Sequence, residues 1–321
     1  MNKRKLFQWA VLGYMMLTGM TACSSDDDTT DIPDDGVKVR RITITQTDGA
    51  AARQGMTRAT LTEDDGLTAS WTAGDGLTYC NLSRSNYVYD AEVGEQVPKA
   101  YTGSLTAAST ATTSQFTGSV TCDRGDYLAV VYPAATFVTN ESYTISLSGQ
   151  DGTLGTLATN YHYVYGKAYV TSVTDNTADA TMEKMKSLLT VCKFSFVDKT
   201  TGAAIPIKTL AISYGGSGSD ARTYPQTATV TLNSNGILEQ SAVHAAGTAS
   251  TSSLLVDCSV AFSLPSEGLG EVFVALLPTS GQRTFNFTVA NSSGTYTGTA
   301  KATLVEGEYI VATGLKLTKN N

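Results

Sequence analysis

From residue 61 onward the chain alternates. Apolar side chains or glycine recur at every second position in Leu67, Ala69 and Trp71, in Phe116, Gly118, Val120 and Cys122, in Tyr143, Ile145 and Leu147, in Tyr161, Tyr163 and Tyr165, and in Phe285, Phe287 and Val289. A period of two puts successive side chains on opposite faces of a pleated backbone, so each run predicts a half-buried β-strand. Turn signals separate the runs at Gly74-Asp75-Gly76, Asn235-Gly236 and residues 291–294, the last two with hairpin chemistry. Short strands at such spacing predict an all-β chain of β-sandwich-like domains. Helical spacing is confined to residues 180–189, where Met182, Met185 and Leu189 share a face. That predicts a short helix or the lead-in to a strand. The polar string TSVTDNTADA at 171–180 places a boundary between two β domains, 37–178 and 179–321.

Two strands at the ends of this body have special patterns. Residues 37–45, VKVRRITIT, are rich in Val, Ile and Thr and predict a first strand. Val37 and Val39 fall on one face and Ile42 and Ile44 on the other, so a bulge or strand end is expected at Arg40-Arg41. The loop 46–58, QTDGAAARQGMTR, combines small residues, two glycines and two arginines, the composition at which folded proteins are nicked. One cut of the Arg58-Ala59 bond would detach the first strand from its own domain. Near the other end, Tyr309, Val311, Thr313, Leu315 and Leu317 fall on one mainly apolar face, opposite Ile310, Ala312, Gly314, Lys316 and Thr318. Such a strand could complete its own sheet or be inserted into another.

Before residue 37 the pattern is that of an address. Lys3, Arg4 and Lys5 precede an uncharged apolar run over 6–20, then Thr21-Ala22-Cys23. This predicts a secretory signal peptide over 1–22, the run being short of the ~20 apolar residues a spanning helix needs. Residues 23–36 are Ser, Thr and Asp with little to bury, which predicts a flexible acidic tether. Asp26, Asp27 and Asp28 lack the ligand spacing of a calcium loop.

Composition removes function classes. The net charge is −7, and losing Lys3, Arg4 and Lys5 makes it more negative by three, so no nucleic-acid partner is expected. Cys80, Cys122, Cys192 and Cys258 allow one disulfide in each half or four buried thiols, and the spacing leaves both open. His162 and His244 have no metal-ligating neighbours at useful spacing, so neither a metal nor a cofactor is expected. No GxSxG elbow, phosphate loop or dinucleotide fingerprint is present, and no catalytic residue is assigned. The acids Glu63, Asp64, Asp65, Glu306 and Glu308 sit beside turn glycines as solvated charge. A glycosidase pair, being spatial, stays a third possibility. Tyr87, Tyr89, Tyr161, Tyr163 and Tyr165 could stack sugars or pack across strands, which keeps a cell-surface glycan-binding lipoprotein as the alternative function.

Thr21-Ala22-Cys23 resembles the lipobox of bacterial lipoproteins, which makes Cys23 the acylated first residue of the mature chain. The acids that follow are similar to a surface-export signal of some Gram-negative lipoproteins. The ordered set Cys23, the first strand, Thr57-Arg58-Ala59, Gly66 to Asp75 (GLTASWTAGD), Gly125-Asp126 running into Val131-Tyr132-Pro133, then residues 185–196, VFVALLP at 272–278 and Gly307-Glu308-Tyr309 resembles the fimbrillin family over essentially the whole chain. The resemblance implies two transthyretin-like Greek-key β-sandwich domains in tandem. It also implies a lipoprotein precursor of a type V pilus subunit, held on the outer membrane through Cys23. An arginine-specific protease would cut at Arg58, or second at Arg53, and another pilin subunit's strand would fill the groove. Adhesion to a host or bacterial surface receptor would follow. The four body cysteines and the short tail after Leu317 depart from the family pattern and leave stalk, anchor and tip open.

Overall fold

The computed structural model describes residues 38–46, 60–63, 67–84, 87–98, 101–139, 142–183, 185–216, 222–231, 243–245, 253–260 and 268–320. It is almost entirely β. The first half supplies β1 (Val39–Gln46), β2 (Thr60–Glu63), β3 (Leu67–Ser70), β4 (Gly76–Asn81), β5 (Tyr87–Asp90), β6 (Glu95–Pro98), β7 (Thr102–Ala107), β8 (Gln115–Thr121) and β9 (Tyr127–Tyr132). Next come β10 (Phe137–Thr139), β11 (Ser142–Ser146), β12 (Val164–Val173), β13 (Thr177–Met182) and β14 (Lys186–Ser187). The second half adds β15 (Thr190–Asp198), β16 (Thr209–Tyr214), β17 (Thr227–Thr231), β18 (Val243–Ala245), β19 (Leu254–Asp257), β20 (Val272–Leu276), β21 (Arg283–Asn291), β22 (Gly294–Ala302) and β23 (Tyr309–Lys319).

The first sheet runs β13-β1-β8-β7-β4-β9-β12-β14, and β12 also pairs with β13. That extra pairing joins the sandwich edges into a closed ring of seven strands, which leaves those strands no bare edge. Inside lie Ile42, Ile44, Leu77, Leu105, Phe116, Leu128 and Val130, around a fully buried Trp71. The Trp71 ring meets Phe116 and Tyr132 edge-on at 4.9 and 5.5 Å, the geometry its quadrupole favours.

The second sheet runs β19-β16-β21-β22-β23-β15-β20. Among the described residues, β22 and β23 pair only through Tyr296↔Lys319 and Thr297↔Thr318. The sheet therefore forks there into two faces. Phe194 and Phe196 of β15 meet Phe287 of β21 across the gap at 5.3 and 5.7 Å.

Residues 37–321 cluster as one compact unit, because the halves interlock. β11 leaves the first half to pair with β17 from Ser142↔Thr231 to Ser146↔Thr227. Its Tyr143 and Ile145, with Leu147, Leu157 and Tyr161 beyond it, belong to the second core. The β2–β3 hairpin crosses likewise with Leu61 and Ala69. The boundary expected after Ala178 falls inside β13, a stave of the first ring. The cores change hands between Met185 and Leu188 instead.

At 180–189 no helix forms among the described residues, and the alternative, a lead-in to a strand, is what is found: Met182 is buried from a strand that alternates strictly, and Met185 and Leu189 are buried from the link into β15. The longer helical piece is the turn Leu154–Thr156 continuing into Leu157–Tyr161, started by the Thr153 hydroxyl accepting from the Thr156 amide. Nor does β1 bulge at Arg40-Arg41. Its pairing with both neighbours runs without a register shift, and Arg40 takes its turn in the buried row with Ile42 and Ile44.

Candidate functional site

β1 is a central stave. It pairs antiparallel with β8 from Val39↔Thr121 to Thr45↔Gln115, and parallel with β13 from Arg41↔Thr177 to Gln46↔Met182. Its inward row is Arg40, Ile42, Ile44 and Gln46, while Val39 is 66 % exposed. Opposite Ile42 stands Gly118, where a Cβ would sit 2.5 Å from the Ser104 carbonyl oxygen. A side chain there would force β7 and β8 apart, so glycine is what allows this part of the ring to close around β1.

Arg40 can be buried because acids await it. Its Nη1 lies 2.9 Å from Asp123 Oδ1, its Nε donates to the Thr174 carbonyl at 2.7 Å, and Nη1 also donates to the Cys122 carbonyl. Asp123 shares its other oxygen with Arg84 Nη2 at 2.9 Å, and Arg84 Nε reaches Asp126 Oδ2 at 2.9 Å. Asp126 Oδ2 further accepts from Asn81 Nδ2 at 2.8 Å and from the Asp123 amide at 2.9 Å. Two arginines and two aspartates thus close one end of the ring with their charges matched. At the other end of β1, neither polar side-chain atom of buried Gln46 finds a hydrogen-bond partner among the described residues. Burying Ile42 and Ile44 contributes ~3–6 kcal/mol together, and a stranded buried amide takes back ~1–3 kcal/mol. Apart from its backbone ladder, the resident strand is held by two isoleucines and by Arg40 through its ion pair and its hydrogen bonds to two carbonyls.

The last strand is less regular than its alternation suggests. β23 pairs parallel with β15 from Val191↔Tyr309 to Asp198↔Leu317, and a register shift between Phe194 and Phe196 inserts one extra residue into β23. The extra residue falls at Thr313-Gly314, with Gly314 at φ +65°, a conformation glycine takes freely. The bulge flips the faces. Ile310 and Ala312 pack toward the core before it and Leu315 and Leu317 after it, while Val311 is 54 % exposed. Tyr309, Val311, Thr313, Leu315 and Leu317 therefore do not form a single apolar face in the strand's own sheet. The Tyr309 hydroxyl donates to Glu63 Oε1 at 2.6 Å, and Lys193 Nζ bridges Glu63 and Glu271 at 3.0 and 2.8 Å. This cluster ties the β2–β3 hairpin to β15, β20 and β23. The Tyr309 hydrogen bond, then the Lys193 one, hold the Glu63 carboxyl below its usual range.

Cys23, Arg53, Arg58 and Ala59 lie outside the described residues. Cys80, Cys122, Cys192 and Cys258 are all buried and none is bridged. Burial pushes the Cys122 thiol up to about 11 and those of Cys192 and Cys258 to about 12, which makes them inert. Tyr161 and Tyr165 are buried and Tyr163 donates its hydroxyl to the Ser146 carbonyl at 3.0 Å, so this row packs between strands instead of facing solvent. His162 is buried, and the backbone of His244 lies in β18. Arg40 is not among the residues the sequence singles out as functional; its signal there is the period of two that runs from it into Ile42 and Ile44.

An all-β chain with two interlocked cores, β1 an internal stave of its first ring, is the class that this fold defines. No family model matches the chain, and no curated protein matches it. Solved structures do. A proposed cell adhesion protein of Bacteroides ovatus superposes with a TM-score of 0.50 at 14% identity, covering 88% of this chain and 96% of that one. A second, from Bacteroides uniformis, gives 0.46 at 16% identity over 90% and 98%. A shaft pilin of Lactobacillus rhamnosus gives 0.33 at 11% identity over 89% and 98%. The Bacteroides ovatus likeness shows that the tandem β fold recurs in a solved protein of similar extent.

Proposed function

We propose that the protein is a structural subunit of a cell-surface type V pilus, made as an outer-membrane lipoprotein acylated on Cys23 and contributing to adhesion. An arginine-specific protease cuts at Arg58, or second at Arg53, β1 departs, and the gap between β8 and β13 takes the C-terminal strand of another pilin subunit. The observation that carries this reading is the position of β1, an internal strand paired on both sides; in the sequence it is followed by the segment that holds Arg53 and Arg58. Its loss bares two rows of backbone groups and the pockets of Ile42 and Ile44, both costly in water, so a replacement strand is drawn in. As donor, β23 would give up its ladder with β15, while among the described residues its pairing with β22 is confined to its last residues.

Treating the full precursor with an arginine-specific protease is expected to turn monomer into detergent-resistant oligomers. Arg58→Ala with Arg53→Ala is expected to block the conversion, and deletion of residues 308–321 to abolish it. A trimmed protein that stays monomeric beside full-length partner would overturn the reading in favour of a glycan-binding surface lipoprotein. That role would need an aromatic surface other than the buried Tyr161 and Tyr165.

A further inference from the structure

Losing β1 changes the charge of the site as well as its shape. With Arg40 in place, Asp123 and Asp126 are balanced by Arg40 and Arg84. Without it, two carboxylates face one guanidinium at the end of an apolar slot, and the Cys122 and Thr174 carbonyls lose their donor. A polar end of this kind discriminates, because an incoming strand without a cation leaves the buried Cys122 carbonyl without its donor and two carboxylates facing one guanidinium. The slot therefore asks for a cation, then an aliphatic side chain two residues away and another two beyond that.

We propose that the vacated slot recognises a basic residue at one end of the incoming strand. The strand is the C-terminal one of a second copy, running opposite to the direction of β1, with Lys319 taking the place of Arg40 beside Asp123. This rests on the strand-exchange reading above. Read backwards from Lys319, the row is Lys319, Leu317, Leu315 and Thr313 against Arg40, Ile42, Ile44 and Gln46 in β1. Thr313 is smaller than the glutamine whose amide is stranded in the resident strand. Other registers fail on the same criterion. Starting backwards from Lys316 places Gly314 and Ala312 in the isoleucine pockets, and running forwards from Lys316 places Thr318 and Asn320 there. The reversed strand pairs parallel with β8 and antiparallel with β13, exchanging the two ladder types that β1 makes. Gly314 permits the switch: at φ +65° it bulges β23 in its own sheet, and as glycine it also takes the extended form that restores one continuous face.

The test uses the full precursor, an arginine-specific protease and excess synthetic peptide 308–320, which contains no arginine. The wild-type peptide is expected to be captured as β1 leaves, K319E to bind at least tenfold more weakly, and K316E to match wild type. A nitroxide label at the Lys319 end is expected to broaden amide signals of residues 120–123, and one at the Tyr309 end those near Gln115 and Met182. Equal capture of all three peptides, or broadening at the opposite ends, overturns this inference and leaves strand exchange standing. Release of β1 with capture of no peptide overturns both.

Discussion

Arg40 shows how a single residue can be both structural and selective. It lies in the hydrophobic row of a strand, which is tolerable because Asp123 and the Thr174 and Cys122 carbonyls meet its Nε and Nη1. The two partners are not equivalent. Arg40→Met removes the cation but leaves Asp123 paired with Arg84, so the expected loss is ~1–2 kcal/mol, the worth of hydrogen bonds to a charged group after some packing is recovered. Asp123→Ala strands a buried guanidinium and is expected to destabilise by about 3 kcal/mol, the low end for a broken buried pair because Asp123 keeps some contact with water. Urea unfolding of the precursor checks the order; Arg40→Met proving the costlier change would mean that the pair contributes little. Sequence could show Arg40 on the buried side of the alternation. It could not show acids more than eighty positions away arriving to neutralise it, which is why a bulge was expected there.

At the level of elements, the runs with one face in water and one in a core were legible, because their alternation reports burial directly. The failures have local physical causes. Met182, Met185 and Leu189 fit a helical face by spacing but are buried from a strand and the turn after it, where propensity yields to packing. β23 alternates on paper, and one glycine able to take a positive φ reverses its faces halfway. The β2–β3 hairpin illustrates a connection that sequence could not reveal, since Glu63 meets Lys193 and Tyr309 only across the two halves. Because those bonds hold the Glu63 carboxyl low, their stabilisation is complete above about pH 4.3 and fades as pH falls through the lower folded value. Hydrogen exchange is expected to show the hairpin amides losing protection in acid before the ring does. Tyr309→Phe should move that loss to higher pH; an unchanged profile would detach Tyr309 from the effect.

For the whole molecule, the length and pattern foretold two β bodies, and the two cores are there. The sharing of segments between them was hidden, because nothing in residues 137–163 distinguishes a strand that stays home from one that reaches out. Through β11 and β17 the halves are sewn together by five consecutive residue pairs and by side chains that the first half lends to the second core. Under tension, two beads on a string would yield one after the other, each at its own force. A chain stitched in this way has no slack linker to pay out first. Pulled from residues 60 and 320 in a single-molecule instrument, it is expected to rupture in one event releasing both cores, and two well-separated steps would show the stitch to be mechanically idle. Tyr143→Ala, which removes a fully buried ring from the borrowed segment, is expected to split the single rupture into two. The lent strand then acts as a clasp that makes the chain hold or fail as a whole.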